Sequence, residues 1–234
     1  MASSDNSIHP TAIVGPNVKM GKGNYVGPYC ILSGHIEIGD DNKFLAHVSV
    51  GLPPQHRGFA IEVDKLEEKG TVKIGSRNIF HEYVTIHQPW HELTSIGSDC
   101  FLMAYAHVPH DAILEDSITM ANNVQIGGHS ILMKGCTIGL SACIHQFSVI
   151  GSYAMVGMGS VVGKNVIPFN TYAGSGPKRL GINEVGMKRL GFDPDKIERV
   201  SMWSQQFVAT GEGTPSDDDV AHEVKRFITF STKK

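Results

Sequence analysis

The chain has 234 residues, enough for one large domain with an appendage, which excludes a disulfide-stapled miniprotein. Hydrophobic residues make up 41% and aromatics only 8%, so small aliphatic side chains must fill the interior, and 26 glycines point to many tight turns. A net charge of -3 argues against nucleic-acid binding through overall positive charge, and no apolar run reaches the length of a membrane span. The cysteines Cys30, Cys100, Cys136 and Cys143 form no CxxC pair and follow no signal peptide, the pattern expected of a reduced, cytoplasmic protein.

From the N-terminus the sequence keeps a period of six. Aliphatic or aromatic residues lead each hexad at Ile8, Val14, Met20, Val26, Leu32, Ile38, Phe44 and Val50. The stretch from Leu52 to Thr71, with Pro53, Pro54 and the charged run Glu62, Asp64, Lys65, Glu67, Glu68 and Lys69, reads as a loop thrown out from a corner. The period restarts at Ile74, Phe80 and Ile86, is displaced by a bulge over 89–95, and then runs unbroken from Ile96 through Leu102, Val108 and Leu114 to Val162. Small residues often stand four places after a lead, as at Ala12, Ala106, Ala112, Val124, Ala142 and Ala154. Neither a helix at 3.6 residues nor a simple strand at 2 sustains such a repeat; a solenoid does, with three hexads closing a triangular coil of 18 residues. After Val166 the period stops at Pro168. Asp193 and Pro194 then supply an N-cap and an N1 proline for a helix carrying Ile197, Val200, Phe207 and Val208. Ser216 and Asp219 open a second helix with Val220, Val224, Phe227 and Ile228. The expected organisation is a β-solenoid over 1–168, with loop 52–71 and bulge 89–95, and a C-terminal helical region over 169–234 covering the last coil.

Coil geometry also picks out candidate chemistry. His110 stands two places after the lead Val108 and points outward, and 18 residues on, one coil above, stands Gly128, with Gln146 a further coil up. A general base beneath a residue whose N–H can be approached closely supplies two parts that acyl transfer needs, a proton acceptor and an oxyanion donor. Asp111 follows His110 directly, and adjacent residues on a strand face opposite ways, so Asp111 can orient His110 only if a corner intervenes or a neighbouring chain contributes.

The hexads resemble those of the hexapeptide-repeat acyltransferases, a resemblance that implies an all-β, left-handed parallel β-helix and a homotrimer with sites between prisms. More specific words, AHVPHD (106–111), NNVQIGGH (122–129), IHQF (144–147) and GINEVGMKRLGF (181–192), resemble the UDP-N-acetylglucosamine O-acyltransferases of lipid A biosynthesis. That resemblance covers most of the chain. It implies His110 as the base for the sugar 3-hydroxyl, Asp111 as its assistant, and the Gly128 N–H as oxyanion donor. His107, His129, His145 and Gln146 would line the substrate cleft, and Asn183 and Arg189 would approach the nucleotide or acyl donor. The donor implied is an acyl carrier protein bearing a 3-hydroxyacyl chain, for which Lys178, Arg179, Lys188, Arg189, Lys196 and Arg199 offer a basic landing surface. The acceptor implied is a UDP-amino-sugar. Compared with the family pattern, the N-terminal half lacks about one coil. PPQHRG (53–58) occupies the place of a sugar-contacting loop that usually carries an acidic residue and a lysine, where His56 and Gly58 stand here; Gln55 and His56 are its candidate substrate contacts, and Val185 replaces a usual glutamate. Met158 stands where relatives that accept long chains commonly have glycine, which predicts a shortened acyl groove.

Three other readings compete. A coenzyme A-dependent nucleotide-sugar N-acetyltransferase could use the same scaffold, but GMKRLGF weighs against it. A zinc hydratase needs ligands converging at tetrahedral spacing, whereas His107 and His110 are only three residues apart, so neither metal nor cofactor is expected. A scaffold subunit without chemistry would have no reason to keep a base beneath a glycine.

Overall fold

The computed structural model describes residues 5–59, 70–91 and 93–232, and the charged run between Glu62 and Lys69 lies outside them. Short parallel strands, one per hexad, are dealt in turn to three sheets. The first sheet begins with Ser7–Ile8, the second with Ile13–Val14 and the third with Val18–Met20, and each strand pairs with the one three further along. In the first sheet Ser7 lies beside Tyr25 and Tyr25 beside Lys43, the 18-residue step expected. The step widens where Lys43 pairs with Ile79 and where Ile79 pairs with Phe101, because extra chain stands between Leu52 and Thr71 and between His87 and Leu93; the expected bulge over 89–95 ends earlier, since Leu93–Ser95 already pair with Thr71–Lys73. It then returns to 18 at Thr119.

The lead residues from Val26 onward fill the interior, with Phe44 and Phe80 stacked at 4.8 Å between ring centroids. Ile8, Val14 and Met20 are the exception: they line the first coil, beneath which no further coil lies among the described residues, and remain partly or largely exposed. A buried amide ladder fixes the early register. Asn24 Oδ1 accepts from the Asn42 N–H at 2.9 Å and its Nδ2 at 3.0 Å, Asn42 Oδ1 accepts likewise from Asn78, and Asn78 Oδ1 accepts from the Cys100 N–H at 2.7 Å. Every carbonyl oxygen in that ladder is thereby satisfied.

The prism turns its corners on single residues in the left-handed region. Tyr29, His47, Tyr83 and Tyr105 do this between the first and second sheets, and Asp111, His129 and Phe147 between the second and third, all with φ between 57° and 63°. An L-residue there costs of order 1 kcal/mol, a cost met by the coil-to-coil hydrogen bonds on either side. The chain leaves the prism through Asn170–Ala173, which extends the first sheet, and Lys178–Ile182, which returns antiparallel to it.

Three helices follow: α1 (Glu184–Arg189), α2 (Pro194–Thr210) and α3 (Asp218–Thr232). Asp193 caps α2 by accepting from the Lys196 N–H at 2.7 Å, with Pro194 in its first turn. The helices pack on Tyr153, Phe169, Met133 and Val149, along the flank of the last coils rather than across the open end, which Val166 and Tyr172 close instead. This placement leaves Val208 and Ile228 of the expected apolar faces exposed. Arg226 of α3 pairs with Glu115 well down the third side of the prism.

Candidate active site

One corner carries both interruptions and the candidate residues His110, Asp111 and Gly128. Loop 52–71 joins Ser49–Leu52 of the second sheet to Thr71–Ile74 of the third, and bulge 89–95 joins Thr85–His87 to Leu93–Ile96 across the same corner one coil up. The next three coils turn this corner at Asp111, His129 and Phe147. Two columns therefore rise side by side, His110, Gly128 and Gln146 in one, and Asp111, His129 and Phe147 in the other.

The left-handed turn at Asp111 answers how neighbours on the chain can meet. With φ at 58° the backbone swings round, and His110 Nδ1 lies 2.8 Å from Asp111 Oδ2 within one chain. The carboxylate is held from its other side by the bulge, through the His91 N–H to Oδ1 at 2.9 Å and the Trp90 N–H to Oδ2 at 3.2 Å. Asp111 is almost fully enclosed, its side chain 8% exposed. Burial opposes its charge, but the hydrogen bonds from His110 and His91 outweigh that and hold the carboxyl below the usual carboxylate range. An ionised carboxylate can only accept, so the proton of neutral His110 sits on Nδ1 and Nε2 keeps its lone pair.

Gly128 stands directly over that imidazole. A Cβ at this position would lie 2.7 Å from His110 Cε1 and 3.0 Å from Nε2, so any side chain would displace the ring. Its carbonyl accepts from the Phe147 N–H at 3.0 Å, while its own N–H donates to no protein group among the described residues. The surrounding walls are aromatic. His56 stacks on Trp90 at 4.5 Å and meets His110 edge-on at 5.9 Å, and His129 stacks on Phe147 at 4.5 Å and meets His110 edge-on at 5.3 Å. On the adjoining face His107 Nδ1 is 2.8 Å from Thr85 Oγ1, and its ring touches that of His87. Burial, with His87 and His110 close by, drives the His107 pKa down to about 4. Burial also lowers those of His87 and His129, the latter against the pull of Asp111.

The remaining candidates are dispersed. Gln55 lines a polar cavity of about 300 Å³ with Tyr83, Tyr105 and His107. His145 turns to the neighbouring Gln146 carbonyl at 3.0 Å, and the Gln146 backbone crowds Gly127 rather than reaching His110. Asn183 caps α1, accepting from the Gly186 N–H at 3.1 Å, and with Arg189 it borders a different cavity of about 420 Å³ beside Lys134 and Tyr153. Met158 is 76% exposed on the flank. The basic landing surface is largely spent internally: Lys188 pairs with Glu184, Lys196 with Asp219 and Arg199 with Asp217, and Arg179 turns inward to Asn170 and Ser204.

Sequence spacing missed Trp90 and His91, because the bulge that holds them keeps no period; the signal was its position one coil below the AHVPHD corner. It also missed a group that could hold a metal ion. Asp111, His91 and His129 each bring one ligand atom to within 4.8 Å of the others, a set invisible when only His107 and His110 are compared.

A three-sheet parallel solenoid with a carboxylate-oriented imidazole beneath a bare glycine N–H defines a hexapeptide-repeat β-helix of the acyltransferase class. No protein-family model matches the chain. It is 37% identical over 211 residues to the acyl-(acyl-carrier-protein)-UDP-N-acetylglucosamine O-acyltransferase of Herminiimonas arsenicoxydans, covering 81% of this chain and 78% of that one. It is 34% identical over 239 residues to the protein of the same name from Alkalilimnicola ehrlichii, covering 93% and 89%. Among solved structures, LpxA from Acinetobacter baumannii superposes with a TM-score of 0.77 at 29% identity, covering 88% of this chain and 86% of that one. The chain belongs to the UDP-N-acetylglucosamine O-acyltransferase family and has its left-handed parallel β-helix.

Proposed function

We propose that the chain moves a 3-hydroxyacyl group from acyl carrier protein to the 3-hydroxyl of UDP-N-acetylglucosamine or a related UDP-amino-sugar, as a step of lipid A biosynthesis. The observation that carries this reading is the His110–Asp111 hydrogen bond of 2.8 Å beneath Gly128. As the sugar oxygen attacks the thioester carbonyl, His110 Nε2 takes its proton, and Asp111 holds the resulting imidazolium in place. The Gly128 N–H donates to the carbonyl oxygen as it becomes negative. When the tetrahedral centre collapses, the C–S bond breaks and the proton on Nε2 passes to the departing thiolate, which returns His110 to its starting form. His56, His107, His129, His145 and Gln146 position the acceptor.

The prism over 1–168 carries this chemistry, and the region 169–234 supplies Asn183 and Arg189 toward the nucleotide or acyl donor. A homotrimer fits the flank: Leu140, Phe147, Met158 and Val161 are large apolar side chains exposed on the last coils. Work in the cytoplasm fits four free cysteines, three of them buried. No described helix is long and apolar enough to cross a membrane.

The test is turnover of a panel of 3-hydroxyacyl carrier-protein thioesters with UDP-N-acetylglucosamine and its 3-amino analogue, alongside acetyl coenzyme A as donor. Ester or amide formation from the carrier-protein donors supports the reading. Turnover from acetyl coenzyme A alone overturns it.

A further inference from the structure

We propose that His91, Asp111 and His129 form a site for a divalent transition metal of the zinc type, and that metal bound there switches acyl transfer off by taking the carboxylate away from His110. The two parts rest on different ground, the second alone depending on the acyl-transfer reading above.

The geometry carries the first part. Asp111 Oδ2 is 3.4 Å from His91 Nδ1 and 3.7 Å from His129 Nε2, and the two imidazole nitrogens lie within 4.8 Å of each other. Zinc bonded to nitrogen and oxygen at about 2.0–2.1 Å in a tetrahedron sets its ligand atoms about 3.3 Å apart. Two of the three edges are therefore near zinc spacing, and the third closes with a shift of no more than about 1.5 Å. Two imidazoles and one carboxylate suit zinc or cobalt; magnesium and calcium prefer all-oxygen sets. The ligands are also held in place. Phe147 stacks flat on His129, with ring planes 4° apart, and the His91 main-chain N–H anchors the bulge to Asp111 Oδ1 at 2.9 Å. The His91 side chain is 63% exposed, so the site opens to solvent on that side and leaves room for a fourth ligand.

The second part follows from a shared atom. Asp111 Oδ2 is the acceptor for His110 Nδ1 at 2.8 Å and also the oxygen that faces both other histidines. A cation on that oxygen competes directly with the His110 N–H, and the base loses what orients it.

The test uses the full chain stripped with EDTA. Cobalt(II) titration should develop the visible absorption of a four-coordinate site at one ion per chain, displaced by zinc. His91→Ala should weaken zinc binding at least tenfold, while His9→Ala, on the first coil, should leave it unchanged. In the acyl-transfer assay, with each protein's rate referred to its own rate in EDTA, zinc should inhibit reversibly, and His91→Ala should raise the inhibitory concentration at least tenfold. Absence of the cobalt spectrum, or equal zinc affinity in His91→Ala, overturns the site. Stoichiometric zinc with undiminished turnover overturns the switch. Absence of turnover in EDTA counts against the acyl-transfer reading alone, since the cobalt spectrum decides the metal site by itself.

Discussion

Gly128→Ala isolates the arrangement on which the proposed chemistry depends, because it adds one carbon and removes nothing. The new Cβ would sit 2.7 Å from His110 Cε1, 3.0 Å from Nε2 and 3.3 Å from Nδ1. Carbon atoms in ordinary contact lie about 3.5–4.0 Å apart, so the imidazole must retreat by about 1 Å. Asp111 cannot follow it, being pinned by the Trp90 and His91 N–H groups, so the 2.8 Å hydrogen bond to His110 lengthens or bends. A misplacement of about 1 Å at the reacting group costs about 100-fold in rate. Gly128 does not have a positive φ, so the backbone itself accepts alanine, and overpacking should cost only about 1–3 kcal/mol of stability. The expected variant is folded, with kcat down about 100-fold and KM for the sugar little changed. Steady-state kinetics alongside a thermal melt measures both. A folded Gly128→Ala protein with near-normal kcat would show that His110 does not work against this glycine, and the base-and-oxyanion arrangement would have to be abandoned.

Four further outcomes are expected. His110→Ala should lower turnover about 100-fold or more in a folded protein, with smaller losses for His129→Ala and Gln146→Ala; near-normal turnover in His110→Ala would remove it as the base. Light scattering at micromolar concentration should give the mass of a trimer, and a monomer mass would contradict the shared cleft. Met158→Gly should shift donor preference from ten-carbon toward fourteen-carbon chains, since each added buried methylene contributes about 0.8 kcal/mol, and no shift would strip Met158 of that role. The fourth concerns pH. Burial holds the folded-state pKa of His107 at about 4, below its unfolded value of about 6.5, so the folded state binds fewer protons between those limits. Stability should therefore be fully present above pH 6.5 and decline as the pH falls from there toward 4, with His87 and His129 acting in the same direction. Denaturant midpoints across this range should fall less steeply in His107→Gln than in the parent; identical slopes would refute the assignment to His107.

The prism was legible in the sequence because each interior position is set by one period and one side-chain class. From Val26 to Val162 the described lead residues are buried as the six-residue count requires, and among the described leads the count fails at Ile8, Val14 and Met20, on the first described coil. The vertical approach of Gly128 to His110 was legible for the same reason. What escaped depends on conformation or charge pairing, which periodicity does not encode. The alternation rule of a strand would separate Asp111 from His110, but the corner residue is left-handed and the two meet. Lys188, Lys196 and Arg199 read as an open basic face until folding sets Glu184, Asp219 and Asp217 beside them. Helix α1 escaped because its six residues are too few to display a period, and its start is announced only by the Asn183 cap.

The 18-residue step also says something about how such a chain can lengthen. Loop 52–71 widens the step between Lys43 and Ile79 to 36, which is two whole coils, so the inserted chain stays in phase with the prism. Counting on by six from Val50, the next leads would be His56, Glu62 and Glu68, and a dry interior of stacked aliphatics cannot take two carboxylates and an imidazole without partners. The chain leaves the prism after Leu52 and rejoins it at Thr71, at the corner where His110 and Asp111 stand two coils higher. The first of its rejected leads, His56, lies on Trp90 with its edge to the His110 ring. Material unfit to be core has become a wall of the candidate site.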